Sequence, residues 1–230
     1  MSATYVYALI DFRGPSARPG GSRLPPSFHV DGHRIDLIEV GGVWAAIEEI
    51  DEPPELSEQS LRSQHRVAVV LAHRFDATLP ARFGAVVDRL ELARIVTARR
   101  QRIHRAFEAV RGRAQMTLRV FGPGPMADRR SVRPPRTGTD YLQGRREAAR
   151  ARLPVAGAAI RRAVRPLVQR ERVEAGRGLV QATVHHLIQR SRAAEYKSLV
   201  RRALAKQQST GQIVVSGPWP PFAFVPALLP

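Results

Sequence analysis

The sequence predicts an α+β fold, and three observations carry that reading. Stretches with strand propensity or period-two alternation recur at residues 4–10, 34–40 and 43–50. Apolar residues at helical spacing recur over about 60–75, 88–111 and 193–208. A hydrophobic content of 43% is enough for a packed core, and no apolar run reaches the length that crosses a bilayer.

The elements follow in order. Tyr5, Val6 and Tyr7 open a first strand that runs on through Ala8, Leu9 and Ile10. Residues 13–27, rich in Gly, Pro, Ser and Arg, read as a loop. RIDLIEV at 34–40 alternates as a half-buried strand does, and Gly41-Gly42 supplies a hairpin turn into a strand from Val43 to Ile50. The acidic stretch from Asp51 to Glu58, with Pro53-Pro54, is a connector. A helix over 60–75 would bury Leu61, Val67, Val70, Leu71 and Phe75, and residues 78–87 return to extended chain. A long helix over 88–111 would bury Leu90, Ile95, Ile103, Phe107 and Val110, with Gly112 as its stop.

The second half reads strand, helix, strand, helix, strand. MTLRVF at 116–121 is a short strand, followed by a basic, proline-rich loop over 122–137. Thr139 or Asp140 caps a helix that carries Tyr141, Leu142 and Arg145, and Pro154 and Pro166 break the helical pattern beyond it. Residues 179–188 form a strand, 193–208 an amphipathic helix and 212–215 a last strand. The domain boundary is placed near residue 98, giving domains 1–98 and 99–230, the latter with a tail at 217–230. No internal repeat is found.

That tail is the most informative segment. In GPWPPFAFVP, Pro218, Pro220, Pro221 and Pro226 fix φ and remove backbone donors, which argues against a helix or a central strand. Trp219, Phe222 and Phe224 therefore sit on a frame that has little freedom left to lose on docking. An aromatic latch over its own domain and a docking face for another protein both fit.

Charge is uneven along the chain. The net charge is +17, yet residues 1–60 hold ten acidic and four basic side chains, while 61–230 hold ten acidic and 33 basic. All the basic residues except Lys197 and Lys206 are arginines, which grip carboxylates and phosphates through two parallel donors. Such a field favours acidic partners, or it is simply solvated. The absence of cysteine excludes disulfides and thiol chemistry. The N-terminus lacks the basic region of a secretory signal.

Motifs for catalysis are missing: no GxxxxGK[ST], no GxSxG and no HExxH. The prolines of Phe121-Gly122-Pro123-Gly124-Pro125 delete the donors a phosphate cradle needs. His29, Asp31 and His33 read as a solvated turn about Asp31-Gly32 rather than a zinc site. His185 and His186, adjacent in a strand, face opposite sides, one toward the core and one toward the surface. His65 and His73 are too far apart along a helix to share an ion. No metal and no cofactor are expected. Arg82 is expected to pair with Glu48 or Glu49, or with a partner's carboxylate, and Gly84 to take an unusual φ. Tyr141 and Arg145 share a helix face, where they tie the helix to the sheet or meet a partner.

Four stretches, in order, carry a family resemblance. GPWPPFAFV resembles the GPWPPYSFV signature of the GvpF/GvpL gas vesicle accessory proteins, with Phe222 and Ala223 where the family usually has Tyr and Ser. Tyr5-Val6-Tyr7-Ala8 is similar to that family's YVYGI. LPARFGAV at 79–86 is similar to its LPVRFGTV, with Ala85 in place of Thr. Gly138-Thr139-Asp140-Tyr141-Leu142 with Arg145 is similar to its G-x-x-YL-x-x-R. The resemblance implies two α+β domains, the second ferredoxin-like. It implies a non-enzymatic role in gas vesicle assembly in the cytoplasm or on the vesicle, through binding of the major shell protein or other vesicle proteins. Trp219, Phe222, Phe224, Arg82, Tyr141 and Arg145 are then the candidate protein-binding residues. The alternative is a basic nucleic-acid-binding protein, supported by the charge of residues 61–230 but not by an RNP-like aromatic pattern.

Overall fold

The computed structural model describes residues 3–11, 27–121, 155–176, 178–206 and 212–229. It is an α+β structure with two sheets, and its contacts divide the chain into two compact units. The first holds residues up to Arg113 together with the segment from Trp219 onward, and the second runs from Ala114 to Pro218. The sequence-based boundary near residue 98 differs from this division at both ends. The helix after residue 98 buries Ile103, Phe107 and Val110 in the core of the first unit, and the tail residues Leu228 and Leu229 join the same core.

The first unit is built on β1 (Ala3–Asp11), β2 (Ser27–Val30), β3 (His33–Val40), β4 (Val43–Ile50), β5 (Ala77–Pro80) and β6 (Val86–Val87). The strand order is β2-β3-β4-β1-β5, with β6 also pairing to β1. Every described residue of β1 after Ala3 is buried, because the sheet is covered on both faces. Tyr5, Tyr7, Ala8 and Ile10 pack against Val67 and Leu71 of α1 (Glu58–Arg74) and against Phe75, which caps its C-terminus. Val6 and Leu9 pack with Leu92 and Val96 of α2 (Arg89–Ala98) and with Ile103 and Phe107 of α3 (Arg100–Val110). A register shift between Val6 and Ala8 lets Tyr7 and Ala8 share a face although they are consecutive.

Helix starts follow local chemistry. Ser57 caps α1 in a reciprocal pair with Ser60, and Asp88 caps α2 by accepting from the Glu91 amide at 2.7 Å. The single helix expected over 88–111 is two, meeting at Arg99, whose ψ of 13° departs from the helical range. Leu61 and Leu90, expected in the core, are 44% and 73% exposed. β2 was read as loop and turn; it pairs with β3 across Asp31-Gly32, both at positive φ, as a two-residue hairpin turn demands.

The second unit contains β7 (Arg113–Phe121), α4 (Val155–Val164), β8 (Val168–Ala175), β9 (Val180–Gln189), α5 (Ala193–Ala205) and β10 (Ile213–Trp219), in sheet order β10-β7-β9-β8. Met116, Leu118, Val120, Val184 and Ile188 face Ile160, Val164, Tyr196 and Val200 of the two helices. β8 is absent from the sequence reading, because VQRERVEA carries the charged residues of a protected sheet edge, not the alternation of a half-buried strand. Pro218 lies in β10, which is the other edge, where a missing donor is tolerated.

Candidate functional site

The segment from Trp219 lies along α1. The Trp219 ring meets His65 edge-on at a centroid distance of 5.1 Å, and Phe222 stacks on the same imidazole at 5.8 Å with an interplanar angle of 23°. Pro220 and Pro221 are buried, while Phe222 is 38% exposed. The backbone then makes a short 3-10 turn over Phe222–Phe224, with the Phe224 amide donating to the Pro221 carbonyl at 2.9 Å. Proline thus excludes an α-helix here but not one tight turn. Beyond it, Leu228 and Leu229 are buried with Leu92, Val96 and Ile103, and Arg99 Nη1 donates to the Leu228 carbonyl at 2.6 Å. Burial beneath the two rings lowers the pKa of His65.

The segment is therefore anchored along its length, and Phe222 remains its most accessible ring. Sequence reasoning considered His65 only as a metal ligand and missed its place under the aromatics. It also passed over Leu228 and Leu229, whose only signal was an apolar pair just after Pro226.

Arg82 stands exposed in the turn between β5 and β6, where the Ala85 amide donates to the Arg82 carbonyl and Gly84 adopts φ +82°. Neither expected carboxylate partner meets it. Glu48 accepts from the Tyr7 hydroxyl at 2.6 Å and faces His33 at 3.0 Å, and Glu49 pairs with Arg89 at 2.8 Å. What the turn does fix is Tyr5. Its hydroxyl accepts from the Gly84 amide at 3.3 Å and donates to Gln64 at 2.8 Å, and its ring meets Phe83 edge-on. Burial raises the pKa of this phenol, and of Tyr7 still more, so both hydroxyls act as donors. Tyr141 and Arg145 lie outside the described residues.

Residues of the HVDGH stretch meet protein side chains. Asp31 pairs with Arg66 and His33 faces Glu48. Among the described residues, no group of three or more His, Cys, Asp or Glu is close enough to hold a metal. His185 and His186 face opposite sides of the second sheet, but both are largely buried, at 13% and 1% side-chain exposure. His185 Nδ1 lies 3.1 Å from Gln115 Nε2 and 3.2 Å from Thr117 Oγ1, and burial lowers its pKa.

His186 joins four residues into a chain. Its Nε2 lies 3.0 Å from Glu171 Oε2 and its Nδ1 2.6 Å from the Tyr196 hydroxyl, while Arg161 binds Glu171 through Nε and Nη2. The hydrogen bond from His186, with the Arg161 guanidinium, holds the Glu171 carboxyl down to about 2. Glu171 is thus a carboxylate that accepts from His186 Nε2–H, and burial raises the pKa of Tyr196. Tyr196 is 0% exposed, so the hydroxyl has no access to a substrate; the chain ties α4, β8, β9 and α5 together.

The sequence profile of the gas vesicle synthesis protein GvpL/GvpF family matches residues 3–226. The chain belongs to the GvpL/GvpF family. Two solved structures share its fold. The gas vesicle protein GvpF from Anabaena sp. PCC7120 is similar with a TM-score of 0.72 at 16% identity, over 98% of this chain and 97% of that one. GvpF from Microcystis aeruginosa is similar with a TM-score of 0.72 at 14% identity, over 97% and 99%. A search among curated protein sequences finds no significant match. Among the described residues no helix is long and apolar enough to cross a membrane. Family membership supports a role in gas vesicle assembly and an association with gas vesicles.

Proposed function

We propose that this chain is a non-enzymatic assembly factor of gas vesicles, acting in the cytoplasm or on the vesicle by binding the major shell protein or other accessory proteins. The family match over residues 3–226 carries the reading. Physically, a shell protein that buries apolar surface on assembly needs that surface shielded beforehand, and a preorganised aromatic edge is suited to the task. Phe222 offers such an edge, 38% exposed and held directly after the buried Pro220 and Pro221. The arginines of the second unit would add attraction to acidic groups on a partner and speed encounter. Among the described residues the order strand-helix-strand-strand-helix-strand, with sheet order β10-β7-β9-β8, supports a ferredoxin-like assignment for the second unit.

The test is co-purification of the tagged chain with the major shell protein at low and high salt, comparing wild type with Trp219→Ala and Phe222→Ala. Capture that survives salt and is lost in Phe222→Ala, with the urea midpoint unchanged, supports docking through the aromatic edge. Trp219→Ala is the harsher change, since that ring also packs on His65. If only nucleic acid is captured, and only at low salt, the assembly reading fails and the charge-driven alternative takes its place.

A further inference from the structure

Among the described residues six large hydrophobic side chains stand exposed: Leu56, Leu61, Leu90, Leu179, Val214 and Phe222. Three of them line one stripe. Leu56 precedes the cap residue Ser57 and Leu61 is the fourth residue of α1, two positions that a helix start brings together. One turn further on is His65, a neighbour of Leu61 on the helix surface, with Phe222 stacked upon it. Leu56 is 77% and Leu61 44% exposed, so neither is spent on the core. Grouped apolar exposure of this kind, rimmed by polar residues, marks an interaction surface.

The rim is acidic. Asp51, Glu52 and Glu55 lie exposed in the connector that leads into α1, with no ion pair among the described residues, whereas Glu58 is paired with Arg62. The local sign is opposite to the net charge of +17. We propose that the stripe Leu56–Leu61–Phe222 docks an apolar segment with basic flanks from another protein. This rests on the protein-binding reading above and assigns the partner's chemistry. An acidic segment or a nucleic acid would be repelled by the rim. A cationic segment would be repelled by the arginine-rich residues 61–230 and drawn to this rim, so the rim gives selectivity as well as attraction.

The experiment uses the full chain and three labelled synthetic peptides of about two heptads. One carries Leu and Lys at amphipathic spacing, one Leu and Glu at the same spacing, and one Lys without Leu. Binding is read by fluorescence anisotropy at about 0.15 M salt. The Leu/Lys peptide is expected to bind saturably and the other two not. Leu56→Ser with Leu61→Ser should weaken it at least about tenfold, the loss of one well-buried leucine contact. Asp51→Asn with Glu52→Gln and Glu55→Gln should weaken it and flatten its salt dependence. These positions are exposed, and an unchanged urea midpoint verifies that each variant is folded. The proposal is overturned if the leucine variant binds like wild type, if the Leu/Glu peptide binds as well as Leu/Lys, or if wild type binds none. Capture of the shell protein is a separate readout, so this proposal and the assembly reading fail independently.

Discussion

Replacing Leu228 and Leu229 together by alanine should unfold most of the margin of the first unit. The two side chains are 5% and 8% exposed and share a core with Val6, Leu9, Leu92, Val96 and Ile103. Each buried Leu→Ala change costs about 2–5 kcal/mol, from lost transfer energy and from the cavity left behind. Neighbouring residues on a connecting segment can relax into part of that space, so the lower end applies, about 2 to 3 kcal/mol each. The pair then costs about 5 kcal/mol against a domain stability of about 5–15 kcal/mol. With a urea slope near 2 kcal/mol per molar, the midpoint should fall by about 2.5 M. Tryptophan fluorescence during urea unfolding measures this, because Trp44 and Trp219 both belong to the first unit. Ala227→Ser, at an exposed position, is the matched control and should leave the midpoint in place. A shift below about 0.5 M in the double variant would refute the reasoning: the segment would then be an adornment of a core that closes without it.

Three further perturbations test other parts of the structure. Arg111→Ala leaves the 6%-exposed Asp11 side chain without its 2.7 Å guanidinium contact and should cost about 3 kcal/mol in urea unfolding. Gly217→Ala places a Cβ 2.7 Å from the Gln115 carbonyl oxygen at φ +114°, so β7 and β10 must part; a loss of about 3 kcal/mol in the thermal melt is expected. Glu171 has a folded pKa held down to about 2 against an ordinary 4.5, so its contribution is complete above pH 4.5 and is lost as the pH falls toward 2. Glu171→Gln should therefore lower stability at neutral pH and flatten acid unfolding within that window, read by circular dichroism.

Where local chemistry decides structure, the sequence was legible. The β3–β4 hairpin follows from alternation closed by Gly41-Gly42, which take φ +56° and +81°. The first strand follows from β-propensity and α1 from its apolar spacing, although the reciprocal Ser57–Ser60 cap that starts the helix went unread. β8 was illegible because an edge strand is selected for charge, and its Arg and Glu side chains carry no inward pattern. The candidate site was half legible. Four prolines announce a rigid aromatic segment, but its seat on His65 joins residues more than 150 apart, and nothing local encodes that pairing. The expected Arg82 ion pair failed for the same reason: Glu48 and Glu49 had nearer claimants in Tyr7, His33 and Arg89, which only the sheet register reveals.

The division of the chain has an energetic consequence. The second unit is an insertion of 105 residues, Ala114 to Pro218, between two parts of the first. Its entry strand β7 and exit strand β10 are neighbours in one sheet, and the Phe121 amide donates to the Gln212 carbonyl at 2.8 Å. Residue 217 lies against Gln115 and Met116, so the two ends of the folded unit are side by side. An unfolded insertion of that length would have to be closed as a flexible loop before Trp219, Leu228 and Leu229 could dock, at a cost of about 4 kcal/mol. A folded one has met that cost through its own core. Val200→Asp puts an unpaired charge at a 0%-exposed position and should unfold the second unit. The first unit, followed by Trp219 emission in a Trp44→Phe background, should then lose about 4 kcal/mol although none of its own residues is destabilised. If its urea midpoint instead stays unchanged while the second unit is unfolded, the segment docks without help from the insertion, and the coupling through the two adjacent strands does not exist.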